Sequence, residues 1–257
     1  MGGGENGSLG GSIPRSNADF NVVDIGGTLR MSGQSNKKYE HFDNQKEYAI
    51  PVISGSGGRD TGQNMLAGKI NKWVRLRKLP DEDDSSWVKR IKEDQKNIDK
   101  FSSHLLVAQS FDTRSSRLTA IASARKNIGY SWMPVIGDKP PTFSEAKACA
   151  VWLNSTLGRI ALRRVCGRKI SWPRFNPMNF NDIPFPDVDN PEIIELLSLA
   201  YDLTCNEIVP KFKDGISEIR TIWDDAISEA IQIDRKVIDH CAELLARDPY
   251  VSGEPLL

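Results

Sequence analysis

Thr142 and Glu145, three residues apart and followed at once by an alanine-rich apolar run, constrain the fold more than any other stretch of this sequence. The pair forms an S/T-x-x-E capping box, in which hydroxyl and carboxylate each take a backbone N–H that a helix start leaves free. Ala146, Cys149, Ala150, Leu153 and Leu157 then recur at helical spacing, so one face of the helix is predicted to be buried. Arg159 and Arg163 continue the run four residues apart and are predicted to project from one side. Gly167 stands where a left-handed C-cap would end the helix.

From Ala146 to Asn181 the chain holds seven Lys or Arg and no Asp or Glu, with Trp152, Trp172, Phe175 and Phe180 interleaved. Such a run attracts polyanions, and its rings can stack on bases. Pro173, Pro177, Pro184 and Pro186 fix the path of an extended connector after it. The formal net charge is zero, which argues against an indiscriminate polyanion binder, yet it conceals a split. Residues 101–181 hold twelve basic and three acidic side chains, and residues 191–248 hold six basic and thirteen acidic ones. A basic body joined to an acidic helical tail is the pattern of a nucleic-acid face plus a protein-facing or solvent-facing module.

The same residues carry a family resemblance. An alanine-rich helix ending in Trp152-Leu153-Asn154-Ser155, then Gly158, a short basic helix, Gly167, Pro173-Arg174-Phe175 and Ile183-Pro184-Phe185-Pro186-Asp187 occur in that order. This resembles the C-terminal target-recognition (specificity) region of bacterial adenine-N6 DNA methyltransferases of restriction-modification and phage-defence systems. It covers roughly residues 100 to 190, the flanks loosely. In such enzymes a separate catalytic domain flips the base, while the specificity region grips phosphates and reads base edges. The resemblance therefore implies double-stranded DNA as partner, with Arg159, Arg163, Arg168, Lys169, Trp172 and Arg174 facing it. It also places Thr113, Arg114 and Arg117 near DNA, in a polar loop between two strands, where arginines suit bidentate contacts to guanine or phosphate. A hairpin loop with surface arginines is the alternative.

The expected architecture is α+β, with a small mixed or antiparallel sheet in the N-terminal half and helices in the C-terminal half. Residues 1–17, rich in Gly, Ser and Asn, read as a disordered leader. Residues 18–187 read as the target-recognition-like domain and 188–257 as a helical tail. Strands are expected within 18–31, at 47–54, within 69–79 and at 105–109, 118–122 and 128–136. Tyr130 and Trp132 would share a face of the last of these, for core packing or for base stacking. Lys69, Lys72, Arg75 and Arg77 form either the solvated face of an amphipathic strand or a phosphate-contacting strip. The Gly-rich stretch 55–62 lacks the Lys-Ser/Thr ending of a phosphate loop and reads as a mobile loop, or as one meeting the DNA backbone through Arg59. Acidic residues 81–84 would cap a helix over 85–101. Asn190 and Pro191 open the tail, where Ile193, Ile194, Leu197, Ala200, Tyr201 and Ile208 should line one face, followed by helices at about 215–231 and 234–246.

Catalytic chemistry is missing from this reading. There is no glycine-rich turn for S-adenosylmethionine and no Asp/Asn-Pro-Pro-Tyr/Phe motif; Asn176-Pro177-Met178 reads as a turn. No cofactor is expected in this chain, and S-adenosylmethionine is implied for a separate catalytic domain. Four scattered cysteines without a C-x-x-C pair suggest no zinc site and a reducing, cytoplasmic compartment. No apolar run reaches the length of a membrane span. The expected function is the DNA-binding specificity portion of an adenine-specific DNA methyltransferase or restriction-modification enzyme, partnered by a methyltransferase or restriction subunit. The alternative is a helical protein-interaction subunit of a defence complex.

Overall fold

The protein, described by a computed structural model, is α+β. The described residues are 20–22, 38–55, 63–110, 117–137, 139–165, 180, 182–215 and 217–248. Among the described residues seven strands make one sheet: β1 (Phe20–Val22), β2 (Tyr39–Phe42), β3 (Ile50–Ser54), β4 (Lys72–Leu76), β5 (Ser103–Ala108), β6 (Ala120–Tyr130) and β7 (Trp132–Gly137). Their order is β1-β7-β5-β6-β3-β4-β2. The sheet is mixed, because β3 runs parallel to the second part of β6 (Val52↔Ile128) while the other strand pairs are antiparallel. Helix α1 (Asp84–Asp99) interrupts the strands, and α2 (Phe143–Asn154), α3 (Thr156–Val165), α4 (Pro191–Thr204), α5 (Glu218–Ala230) and α6 (Arg235–Arg247) follow them.

β6 divides the apolar interior in two. Its first residues pair with β5 (Leu105↔Ala122) and contribute to the main core; Ile128 and Tyr130 belong to a second, smaller one. Between β6 and β7 the chain reverses at Ser131, which takes φ 65°. Gly129 permits this reversal, since a Cβ there would lie 2.1 Å from the Trp132 carbonyl oxygen. The strand expected over 128–136 is thus broken. Tyr130 packs against the small core and Trp132 lies buried in the main one, so neither ring is offered for stacking on a shared face.

The small core is closed by α1. Asp83 is its N-cap, accepting from the Ser86 N–H, as the acidic cluster predicts. Ile91 and Ile98 face Val52, Val74 and Leu76. The Trp87 indole donates to the Leu76 carbonyl at 3.1 Å, and the Gln95 amide donates to that of Tyr48 at 2.7 Å. The amphipathic strand β4 keeps its cations occupied. Arg75 pairs with Glu40 directly opposite on β2 at 2.9 Å and lies over the Phe42 and Trp87 rings, while Lys72 pairs with Asp43. These contacts are those of a solvated, ion-paired face.

The main core runs without interruption from β5, β6 and β7 through α2 into the C-terminal helices. Leu105, Ile121, Trp132, Trp152, Tyr201, Trp223, Ile227 and Ile238 all belong to it. α4 packs along α2, with Leu197, Ala200 and Tyr201 inward. Ile208, expected on that face, is instead exposed, as are Leu199 and Leu203. On α6 the buried stripe is Ile238, Ala242 and Leu245, and Val237 and Leu244 turn outward. No helix among the described residues is long and apolar enough to cross a membrane.

Candidate nucleic-acid interface

The capping box is present as the sequence predicts: Thr142 Oγ1 accepts from the Glu145 N–H, and Glu145 accepts from the Thr142 N–H. The helix does not continue to 166. It stops at Asn154 and restarts at Thr156, and the residues that carry the family resemblance make this break. Ser155 Oγ donates to the Trp152 carbonyl at 2.7 Å and accepts from the Gly158 N–H at 3.1 Å, so one hydroxyl closes α2 and opens α3. Gly158 lets the two helix ends meet: a Cβ there would fall 1.8 Å from the Trp152 carbonyl oxygen.

Asn154 ties the end of α2 to the start of β6. Its side-chain oxygen accepts from the Thr119 N–H at 2.7 Å and from Thr119 Oγ1 at 3.0 Å, and its amide nitrogen donates to the Ala120 and Ala150 carbonyls. The residue is fully buried. Asn154→Leu keeps the volume but strands the Thr119 N–H, and is expected to destabilise the protein by about 2–4 kcal/mol, read as a fall in denaturant midpoint. An unchanged midpoint would remove Asn154 from the frame.

The first turn of α3 is tied to α5. Asp224 accepts from the Thr156 N–H at 2.8 Å and from the Thr156 hydroxyl at 2.6 Å. Burial raises the Asp224 carboxyl above its ordinary value, opposed by these two hydrogen bonds and by Arg235 and Arg220. A raised folded-state value means that folding favours the protonated form, so this group's contribution to stability is complete below about 3.8 and is lost as pH rises through the folded value. Asp224→Asn removes the titration. The stability of the wild type relative to this variant should therefore grow as pH falls from 7 toward 4, measured by chemical denaturation of both proteins; a pH-independent difference would contradict the assignment.

The second resemblance segment packs on the first. The Trp152 indole donates to the Pro184 carbonyl at 2.7 Å, and Ile183 and Phe185 are buried beside Phe180, whose ring lies 5.2 Å from that of Phe185. Phe180, Ile183 and Phe185 thus share the main core with Trp152 of α2.

The arginines expected to face DNA are distributed differently from the sequence reading. Arg159 is 6 % exposed. Its guanidinium donates to the Arg117 carbonyl at 2.7 Å and lies 4.7 Å from the Phe212 ring centroid. Burial, and then the nearby Arg220, hold its proton affinity well below the usual arginine range. Arg159 is thus an interior residue and not part of an outward surface. The reason is tertiary: α3 is covered by α5 and α6, and a flat cation over an aromatic face with carbonyl acceptors satisfies that covered position. Its neighbour Ile160 is correspondingly 37 % exposed. Arg163 pairs with Asp248 just beyond α6, so it too is engaged with the acidic tail, while Arg164 is exposed.

Arg117 meets Arg159 through its backbone carbonyl. Its side chain donates to the Val209 carbonyl at 2.9 Å. Thr113, Arg114, Arg168, Lys169, Trp172 and Arg174 lie outside the described residues, as do Arg59 and Gly167.

Sequence reasoning missed Arg220 and Phe212. Arg220, on α5, is 2 % exposed and donates to the Pro210 carbonyl at 2.7 Å and more weakly to that of Arg117 at 3.4 Å. It lies 5.0 Å from the centroid of Phe212, which begins a single 3-10 turn (Phe212–Asp214). Burial pushes its guanidinium down to about 10, against the influence of Asp224 and Asp214. One signal was available: Arg220 stands three residues before Trp223 and seven before Ile227, a charged residue on an apolar stripe.

Neither the family models nor the curated proteins give a match to this sequence. Among solved structures the fold is similar to that of the type IIG restriction endonuclease BpuSI, with a TM-score of 0.56 and 12% identity over 89% of this chain. The matched region spans 30% of the length of that enzyme. The structural likeness is thus to part of a larger restriction endonuclease, and it is a likeness of fold.

Proposed function

We propose that this chain is the DNA-binding, target-recognition part of a restriction-modification enzyme of the adenine-specific methyltransferase kind, with catalysis supplied by another domain or subunit that binds S-adenosylmethionine. The observation that carries this reading is the likeness of fold, over 89% of the chain, to a type IIG restriction endonuclease. The resemblance motifs agree with it. Trp152, Asn154, Ser155 and Gly158 build a rigid helix break, and Pro184 and Phe185 dock on it. In the sequence, two segments rich in DNA-compatible side chains adjoin that frame: 111–116 with Thr113 and Arg114, and 166–179 with Arg168, Lys169, Trp172 and Arg174. Their first described neighbours, Arg117 and α3, are in contact through Arg159. Cations on these segments would hold phosphates and set register, and arginine or the indole would meet base edges. Binding to duplex DNA, measured by fluorescence anisotropy across a salt series, should weaken steeply as salt rises. A flat salt response, or no binding at low salt, would end the proposal.

The exposed side chains Leu199 and Leu203, one turn apart on α4, favour a second reading as a protein-interaction subunit. Replacing both by lysine should leave folding and DNA binding unchanged. The same change should abolish co-purification with a partner methyltransferase or nuclease; retained co-purification would exclude this face as the contact.

A further inference from the structure

Arg117, Arg159 and Arg220 come from three separate parts of the chain, and the fold brings the Arg159 and Arg220 guanidiniums together at the Arg117 backbone carbonyl. Arg159 and Arg220 share the Arg117 carbonyl as acceptor and both lie against Phe212. Like charges this close repel, and burial sharpens the repulsion. Asp224 spends its two oxygens on Thr156, and neither Arg117 nor Arg220 forms an ion pair with a carboxylate among the described residues. Arg220 is the clearest sign of a missing counter-charge. Among the described residues only its Nη2 is engaged, with the Pro210 and Arg117 carbonyls; Nε and Nη1 are buried and donate to no described acceptor. A guanidinium taken out of water with most of its donors idle is costly, and an anion at those donors would offset the cost.

We infer that Arg220 and Arg117, against the Phe212 ring, form a binding site for a phosphate oxyanion, supplied either by the backbone of a nucleic acid or by free phosphate. The first source rests on the DNA-binding reading above; the second does not. A tetrahedral anion suits the site better than a carboxylate, because its oxygens can meet guanidiniums arriving from several directions and its charge matches more than one of them. Arg117 and Phe212 keep partial exposure, so the cluster is open at that edge. On this reading α5, in the acidic tail, contributes a buried cation behind the partly exposed Arg117.

The experiment measures melting of the full chain in inorganic phosphate against sodium chloride and sodium acetate at matched ionic strength. It uses the wild type, Arg220→Met and, as an independent variant at the open edge, Arg117→Met. Phosphate is expected to raise the wild-type Tm by roughly 5 °C at saturation, and neither variant should respond. No response in the wild type, or an equal one in both variants, overturns the free-phosphate source. In a second arm, duplex DNA is titrated across a salt series. A salt slope smaller by about 0.9 in the variants assigns the site to a backbone phosphate. An unchanged slope with a lost phosphate response assigns it to free phosphate. If the wild type binds no duplex but keeps the phosphate response, this inference stands and the DNA reading falls. If duplex binding is strong, with no phosphate response and no change in slope, the inference falls and the DNA reading stands.

Discussion

Gly158→Ala is expected to lose about 3 kcal/mol or more of stability, seen as a fall in Tm of roughly 10 °C. The methyl group would occupy a point 1.8 Å from the Trp152 carbonyl oxygen and 3.0 Å from the Leu153 Cα. Both obstacles are backbone, so no rotamer change relieves the overlap. The ends of α2 and α3 must separate, and three contacts are strained together: Ser155 Oγ with the Gly158 N–H, Thr156 with Asp224, and Arg159 with the Arg117 carbonyl. The separation also shifts α3, so on the proposed reading DNA binding should weaken beyond the effect of stability alone. A variant within 1 kcal/mol of the wild type would show that the helix break tolerates a side chain, and the frame described here would need to be redrawn.

The second large effect is on DNA binding. Replacing Arg168, Lys169 and Arg174 together by alanine should lower affinity for any duplex by about 100-fold at 0.1 M salt, and reduce the salt slope by roughly 2.7 if each contacts one phosphate. These three residues are chosen because they are the cations of the sequence stretch that the resemblance assigns to DNA contact after α3. Arg159 and Arg163, equally prominent in the sequence, are unsuitable probes. Arg159 is buried against Phe212, and Arg163 is paired with Asp248, so their loss would confound binding with folding. Circular dichroism should show the triple variant folded as the wild type is. Retained affinity and slope in a folded triple variant would remove segment 166–179 from the interface. Replacing Trp172 by alanine separately distinguishes base contact: it should alter discrimination between sequences with little change in salt slope.

Much of the local architecture was legible in the residues. The Thr142–Glu145 box, the Asp83 cap and the Asn190–Pro191 start all act over a few residues, and each appears as expected. Alternation in β4 correctly indicated a paired, amphipathic strand. Errors arose where a neighbour distant in sequence decided the outcome. β2 is short and lacks a strand-like apolar run, and it forms because β4 offers it hydrogen bonds, Arg75 offers Glu40 a partner and Tyr39 enters the small core. The strand expected over 128–136 breaks at Ser131 because its two halves serve different cores. Val237, Leu244 and Ile208 fit the apolar periodicity of their segments, yet other residues cover the core in their place.

By itself the sequence determined the helix caps, the α+β division, the basic run from 146 to 181 and the order of motifs resembling a specificity region. These depend on near neighbours and on composition, which a linear reading contains. Only the tertiary structure decided that Trp152, Asn154, Ser155 and Gly158 are frame residues, that Arg159 faces inward, and that Arg220 from the acidic tail joins it. Whether an arginine meets solvent or the interior depends on what covers its helix. For α3 that cover is α5, α6 and Phe212, which lie more than forty residues away along the chain and come beside it only on folding.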